Sequence, residues 1–184
     1  MRNVVYAINL SLDGCCDHTK GMVDEELFDY YIQLVRDADL LVYGRKTYQL
    51  MVPYWADVAK DPSETKSDIA FGKTFVSKNK VVFSRTLESA EDVNARIVRT
   101  NLRDEILKLK QEPGKYILVG GVDIPSQLIE LGLVDEYRFV VGPFITGEGR
   151  RLMEGVSLPK QLQLKLVESK VYKSGSVALH YLKQ

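Results

Sequence analysis

The chain predicts an α/β fold, a mixed, mostly parallel sheet with helices on both faces and antiparallel strands at the C-terminus. Three observations predict it. Short apolar runs bounded by turn residues alternate with segments of helical periodicity as far as Leu133. Four of those runs end in loops of special composition: Asp13-Gly14, Gly44-Arg45-Lys46-Thr47, Ser84-Arg85-Thr86 and Gly120-Gly121. From Asp135 onward the pattern changes to period-two alternation, with a hairpin turn at Ser174-Gly175.

Each element has a local reason. Residues 4–12, VVYAINLSL, make a buried strand stopped by Asp13-Gly14, and a polar loop follows over 15–23. Asp24, Glu25 and Glu26 place negative charge in the first turn of a helix whose Leu27, Phe28, Tyr31, Leu34, Val35 and Ala38 recur at helical spacing. Asp24 is either its N-cap or a carboxylate facing a pocket. Leu40 to Tyr43 form a second strand that meets Gly44, and Arg45, Lys46 and Thr47 open the next helix. Residues 53–61, which hold Pro53 and the single tryptophan, Trp55, read as irregular. A helix over 63–76 buries Ile69, Ala70, Phe71 and Phe75, and short strands follow at 80–84 and 97–99. The helix that starts at Asn101 or Leu102 turns Ile106, Leu107 and Leu109 inward and stops at Pro113-Gly114. A strand at 116–119 runs into Gly120-Gly121, a helix over 123–133 closes at Gly132, and a strand at 135–144 leads to the Gly-rich loop 145–153. The last two strands, 162–172 and 176–183, alternate, leaving Val177, Leu179 and Tyr181 on one face with nothing later to cover it.

Length and composition exclude several classes. A chain of 184 residues with 45% hydrophobic and 27% charged content fits a single domain over 1–184. Lys plus Arg and Asp plus Glu balance at 25 each, which argues against a general nucleic-acid binder. The apolar part of the N-terminus is too short, and too soon broken by Asn9 and Asp13, for a signal peptide or membrane span, so a cytoplasmic protein is expected. Cys15 and Cys16 are adjacent, a poor geometry for a disulfide. With Asp17 and His18 they match no usual metal-ligand spacing, and no metal is expected.

Charge carries the functional reading. The positive end of a helix dipole favours anions, yet this chain puts Arg45 and Lys46 in a first turn. A phosphate would resolve the conflict by accepting from the backbone N–H groups, the Thr47 hydroxyl and both cations, with Gly44 permitting close approach. The alternative is a solvated Arg-Lys pair at a surface helix start. In a parallel sheet the four special loops lie along one edge, where ligands bind outside the carboxyl ends of the strands. A nucleotide fits there, with Gly120-Gly121 near a pyrophosphate and Arg85 meeting further charge, although no G-x-G-x-x-G fingerprint is present.

At these motifs the chain resembles the dihydrofolate reductase superfamily, most of all the branch that includes the C-terminal reductase domain of the bifunctional riboflavin biosynthesis protein. The residues that carry the resemblance are SLDG (11–14), GRKTY (44–48), VVFS (81–84), LVGG (118–121) and LIELGLVDEYRFVVGPFITGEGRRLM (128–153). The resemblance implies a three-layer α/β/α fold around an eight-stranded sheet, NADPH as cofactor, and a homodimer. It implies that Arg45, Lys46 and Thr47 hold the 2′-phosphate and pyrophosphate region, that Ser84 and Arg85 line the adenosine side, and that Gly120 and Gly121 pack against the pyrophosphate and nicotinamide ribose. Ala7, Ile8 and Gly14 would border the nicotinamide. The implied activity is NADPH-dependent reduction of a small heterocycle, most like 5-amino-6-(5-phosphoribosylamino)uracil reductase. Two positions depart from the family: Phe28 stands near the carboxylate with which dihydrofolate reductases hold the pterin, and Val119 stands where riboflavin-type reductases tend to carry an acid. Candidate proton donors or substrate contacts are Asp24, Tyr31, Tyr54, Trp55 and Glu148, each with an ordinary structural reading beside it. A second hypothesis keeps the fold and nucleotide or dimer binding without catalysis.

Overall fold

Eight strands form one sheet in the computed structural model, which describes residues 1–17, 24–158 and 160–184. They are β1 (Asn3–Leu10), β2 (Leu40–Gly44), β3 (Lys80–Phe83), β4 (Ala95–Val98), β5 (Tyr116–Val119), β6 (Glu136–Val141), β7 (Leu164–Val171) and β8 (Val177–Lys183). Their order across the sheet is β4-β3-β2-β5-β1-β6-β8-β7. The first six positions in that order run parallel, whereas β8 pairs antiparallel with both β6 and β7. This is the mixed α/β architecture the sequence predicts. The loop expected over 15–23 falls outside the described residues from 18 to 23.

Helices cover both faces. Ile106 and Leu109 of α4 (Leu102–Gln111) and Leu128 and Ile129 of α5 (Asp123–Glu130) pack on one face, against Val4, Tyr6, Val42, Val81, Ile117 and Val119. On the other face, α1 (Glu25–Asp37), α2 (Arg45–Val58) and α3 (Lys66–Val76) bring Leu34, Val35, Tyr48, Phe71 and Phe75 onto Val5, Leu41, Tyr43, Val82 and Leu118. Strand residues buried on both faces explain the unbroken apolar runs of the central strands. β1 and β5 are neighbours, yet the helices that follow them, α1 and α5, lie on opposite faces. In open α/β sheets ligands bind beside such a divergence, outside the carboxyl ends of the strands.

Several local expectations are corrected. Residues 53–58 are not irregular: α2 runs through Pro53 to Val58. Pro53 is exposed, so the Gln49 carbonyl that loses its i+4 partner faces water, while Tyr48, Val52 and Val58 hold the helix down by burial. Leu107 and Leu131 point outward, and Ala70 is exposed. Gly72 takes the buried place on α3, where a Cβ would lie 3.0 Å from the Trp55 carbonyl, so the missing side chain lets α3 sit close against the end of α2. Val177, Leu179 and Tyr181 do share a face, half-buried beside Tyr137, Phe139 and Val141, and Tyr181 joins the core.

Candidate active site at the carboxyl edge

Register brings the special loops together. Phe83 pairs with Gly44, Val42 with Val119, and Val119 with Tyr6, so the loops after β3, β2, β5 and β1 follow one another along one edge. The start of α2 is the middle of this row. Gly44 is its N-cap, with no side-chain cap and no acid in the first turn. α1, α3 and α4 instead start at Asp24, Thr65 and Asn101, whose side chains accept from Leu27, Asp68 and Asp104 amides. The first N–H groups of α2 therefore stay available to an outside acceptor.

Two glycines close the cradle. Gly121 has φ 83°, and a Cβ there would collide with the Thr47 hydroxyl. A Cβ on Gly120 would lie 2.7 Å from the Tyr43 ring, and one on Gly44 would lie 3.3 Å from Ile124 at the start of α5. Only backbone fits between these walls. Among the described residues the Thr47 hydroxyl has no hydrogen-bond partner, and neither Lys46 nor Arg85 meets a carboxylate. Lys46 and Arg85 are exposed, as is Arg45, whose guanidinium donates to the Gln49 side chain at 3.0 Å along its own helix. A phosphate facing the N–H groups of this first turn, the Thr47 hydroxyl and exposed cations has the donors it needs. The residues present therefore fit a phosphorylated cofactor, with Ser84 contributing less than the resemblance implies. Its oxygen already accepts from the Thr86 and Leu87 amides at 3.2 and 2.9 Å, which shapes the turn that presents Arg85.

Beyond β1 the edge is closed by a long-range clasp. The Asp13 carboxylate accepts from the Ser11 hydroxyl at 2.6 Å and from the Thr146 and Gly147 amides at 3.2 and 3.0 Å, and pairs with Arg151 at 3.3 Å. These contacts, the Ser11 hydrogen bond first, hold its carboxyl well below the usual carboxylate range. Leu152 donates to the Gly14 carbonyl and Cys16 to that of Arg150, both at 2.9 Å, so the Gly-rich loop lies along the SLDG turn. Arg150 also pairs with Asp123 at 2.7 Å, joining the loop to the start of α5. Gly14 takes φ 77° with open space around its missing Cβ, so it serves the turn. Ala7 and Ile8 are half-buried on opposite faces of β1 just before this clasp.

With the cradle and the clasp in place, comparison identifies the architecture. The profile of the RibD C-terminal domain matches residues 2–178. The chain belongs to the RibD C-terminal domain family. It is 32% identical to the uncharacterised protein YyaP of Bacillus subtilis (strain 168) over 98% of this chain and 94% of that protein. A second protein of the same organism, YwjB, is 24% identical over 99% of this chain and 98% of its own length. Among solved structures, a putative riboflavin biosynthesis protein from Shewanella sp. PV-4 superimposes with a TM-score of 0.73 at 20% identity, covering 100% of this chain and 99% of that one. The deaminase and 5-amino-6-(5-phosphoribosylamino)uracil reductase of Thermotoga maritima gives 0.69 at 14% identity and covers 100% of this chain but 57% of its own. At those identities the two superpositions establish the shared fold.

Within this RibD-type scaffold the other candidates separate. Asp24 is the N-cap of α1, accepting from Leu27 at 2.8 Å, and hydrogen bonding from Ser174 first and the Leu27 amide second lowers its pKa, so it serves the helix start. Phe28 packs edge-on against Trp55 and Phe71, at 6.3 and 6.1 Å between ring centroids, and so belongs to an aromatic cluster. Trp55 belongs to that cluster, whereas Tyr54 is exposed beside it. Glu148 is exposed on the Gly-rich loop. Tyr31 points to the carboxyl end of β1 and donates to Asn9 at 2.5 Å. Cys15 and Cys16 are free thiols held by the clasp, while His18 lies outside the described residues. Among the described residues no helix is long and apolar enough to cross a membrane.

Sequence reasoning missed four residues of this edge. Tyr6 donates its hydroxyl to the Gly121 carbonyl at 3.0 Å and so fixes the paired glycines from the neighbouring strand. Asp13 was legible only as a turn signal, and its partner Arg151 stands far off in the chain. Asn9 carried no signal beyond interrupting an apolar run.

Proposed function

We propose that the chain is an NADPH-dependent reductase of a small heterocyclic acceptor, most like the 5-amino-6-(5-phosphoribosylamino)uracil reductases of riboflavin biosynthesis. One observation carries the reading: the uncapped, cationic start of α2 lies against the glycine pair after β5, with Thr47 and Gly121 in contact. Thr47 and the first N–H groups of α2 would hold the pyrophosphate, and Arg45, Lys46 and Arg85 the 2′-phosphate and adenosine end. Ala7, Ile8 and Gly14 would border the nicotinamide, and the Asp13–Arg151 clasp would hold the loop that limits water there. When bound, the dihydronicotinamide supplies a hydride to the acceptor. Calorimetric titration tests the cofactor: NADPH should bind in the micromolar range and more tightly than NADH, and equal affinities would overturn the reading.

A second reading, a nucleotide-binding protein without turnover, draws on one observation. Val119, where the riboflavin-type enzymes tend to carry an acid, is wholly buried in the core. NADPH oxidation with pterin, pyrimidine or quinone acceptors separates the two, since turnover with any of them excludes the second. We also propose a homodimer through the C-terminal sheet face. Leu166 and Val171 of the edge strand extend the face of Tyr181 and Val177, and both are more than 45% exposed. Sedimentation should give a dimer for the wild type and a monomer for Leu166→Lys; a monomeric wild type would remove this part.

A further inference from the structure

Asn9 sits at the carboxyl end of β1, exposed, on the same face as Ala7 and opposite Val140 of β6. The only hydrogen bond its side chain makes among the described residues is the one from the Tyr31 hydroxyl, at 2.5 Å to Oδ1. Burial pushes the Tyr31 phenol well above its usual pKa, so it remains a protonated donor across the neutral range. A phenol that gives its proton to Oδ1 settles the amide orientation and leaves the two N–H groups of Nδ2 on this exposed residue without a partner among the described residues. A primary amide held by a half-buried tyrosine at the end of β1 contributes little to packing, because Asn9 buries little surface there.

Resting on the reductase reading above, we infer that Asn9, oriented by Tyr31, donates its amide N–H to a carbonyl oxygen of the acceptor, which is thus a carbonyl-bearing ring of lactam or quinone type. The neutral amide selects an uncharged oxygen. Asp24, one of the charged groups that act on the Tyr31 phenol, disfavours an anionic group at that contact. Tyr31 acts through Asn9 as a positioning residue, since its hydroxyl is spent on the amide.

The test uses the whole protein loaded with NADP⁺, so that no turnover occurs, and three probes in calorimetry: 5,6-diaminouracil for the lactam, 2-methyl-1,4-naphthoquinone for the quinone, and tetraaminopyrimidine, which replaces the lactam oxygens by amino groups. Wild type should bind one of the carbonyl probes at least about tenfold more tightly than tetraaminopyrimidine, because the site's donors stay unpaired with the latter. Which carbonyl probe binds decides between lactam and quinone. Asn9→Asp, with an oxygen in place of the nitrogen, should lose that preference or reverse it, and Asn9→Ala should lose it. Tyr31→Phe, which frees the amide to rotate, should bring the preference close to parity while NADP⁺ affinity holds. A wild type that binds NADP⁺ but neither carbonyl probe, or an Asn9→Asp protein with the wild-type preference, overturns the inference and spares the cofactor site. Failure of the wild type to bind NADP⁺ overturns the reductase reading itself.

Discussion

The amino edge of the sheet and the stretch of carboxyl edge around the start of α2 treat cations in opposite ways. At the amino edge several positive side chains meet a carboxylate: Arg2 pairs with Glu112, Lys110 with Asp135, Lys115 with Asp37, and the fully buried Lys80 with Asp92 at 2.8 Å. Lys80 also donates to the Lys78 carbonyl at 2.8 Å and lies over the Phe75 ring. At the carboxyl edge, around the start of α2 and the turn after β3, Lys46 and Arg85 have no carboxylate among the described residues. A charge that is matched inside the chain stabilises the fold or costs it little, whereas an exposed cation at a helix N-terminus, as Lys46 is, opposes the helix dipole and gains from an added anion. The matched amino edge thus serves the fold, and the unmatched start of α2 is where the proposed cofactor would bind.

The largest expected effect breaks the closed side of that contrast. Asp92→Asn removes the counter-charge of a buried ammonium whose pKa desolvation already lowers, and should destabilise the protein by about 3–5 kcal/mol in urea unfolding. Adding Lys80→Met to that variant should recover much of the loss, because an apolar side chain of similar volume needs no partner. A small loss for Asp92→Asn alone would mean that the backbone carbonyls suffice. Next in size is Gly121→Ala on the open side. Left-handed backbone costs a residue with a Cβ about 1–2 kcal/mol, and the methyl group would also displace the Thr47 hydroxyl, so NADPH should bind at least about tenfold more weakly. Gly155→Ala is the control, with φ 75° and open space around its missing Cβ. It should show similar strain in unfolding and unchanged NADPH binding.

How much of this was legible in the sequence follows the range of the interactions. β5 was read to the residue because Tyr116–Val119 is a local apolar run between turns, and the glycine pair and the α2 start were equally local. Pro53 misled because its local cost is outweighed by Tyr48, Val52 and Val58, whose burial depends on strands and helices elsewhere in the chain. The Asp13–Arg151 pair and the Tyr6–Gly121 hydrogen bond join residues more than a hundred positions apart, and no periodicity encodes such a meeting. Asn9 is the sharpest case. Its partner stands on α1, so its role emerges only when the helix is laid over β1.

Two smaller effects sharpen the contrast at the carboxyl edge. Arg45→Glu should abolish the preference for NADPH over NADH, a loss of about tenfold in the affinity ratio, while NADH binding changes little; an unaltered ratio would shift the 2′-phosphate contact to Lys46 or Arg85. The clasp gives a pH signature instead. Because the folded pKa of Asp13 is depressed, its contribution is complete above the ordinary carboxylate range, about pH 4, and is lost as pH falls through the lowered folded value. Protection of the Thr146 and Gly147 amides, measured against their intrinsic exchange rate at each pH, should therefore be full at pH 5 and fall only in stronger acid. In Asp13→Asn it should be low throughout, and protection that survives the substitution would show that the backbone pairing with residues 14–16 holds the loop without the carboxylate.

The smallest effect has the most diagnostic sign. If Lys46 were only a solvated residue at a helix start, replacing it would be neutral for binding. Lys46→Glu puts an acid where the dipole favours one, next to amides with no cap, and should stabilise the ligand-free protein by ~0.5 kcal/mol. The same change places a carboxylate where a phosphate would sit, so the NADPH-bound protein should gain nothing or lose stability, and the increase in melting temperature caused by saturating NADPH should shrink. Opposite signs in the free and bound states identify a residue kept for its ligand at the expense of the fold. A gain of equal size in both states would mean that the cation at this helix start meets no phosphate.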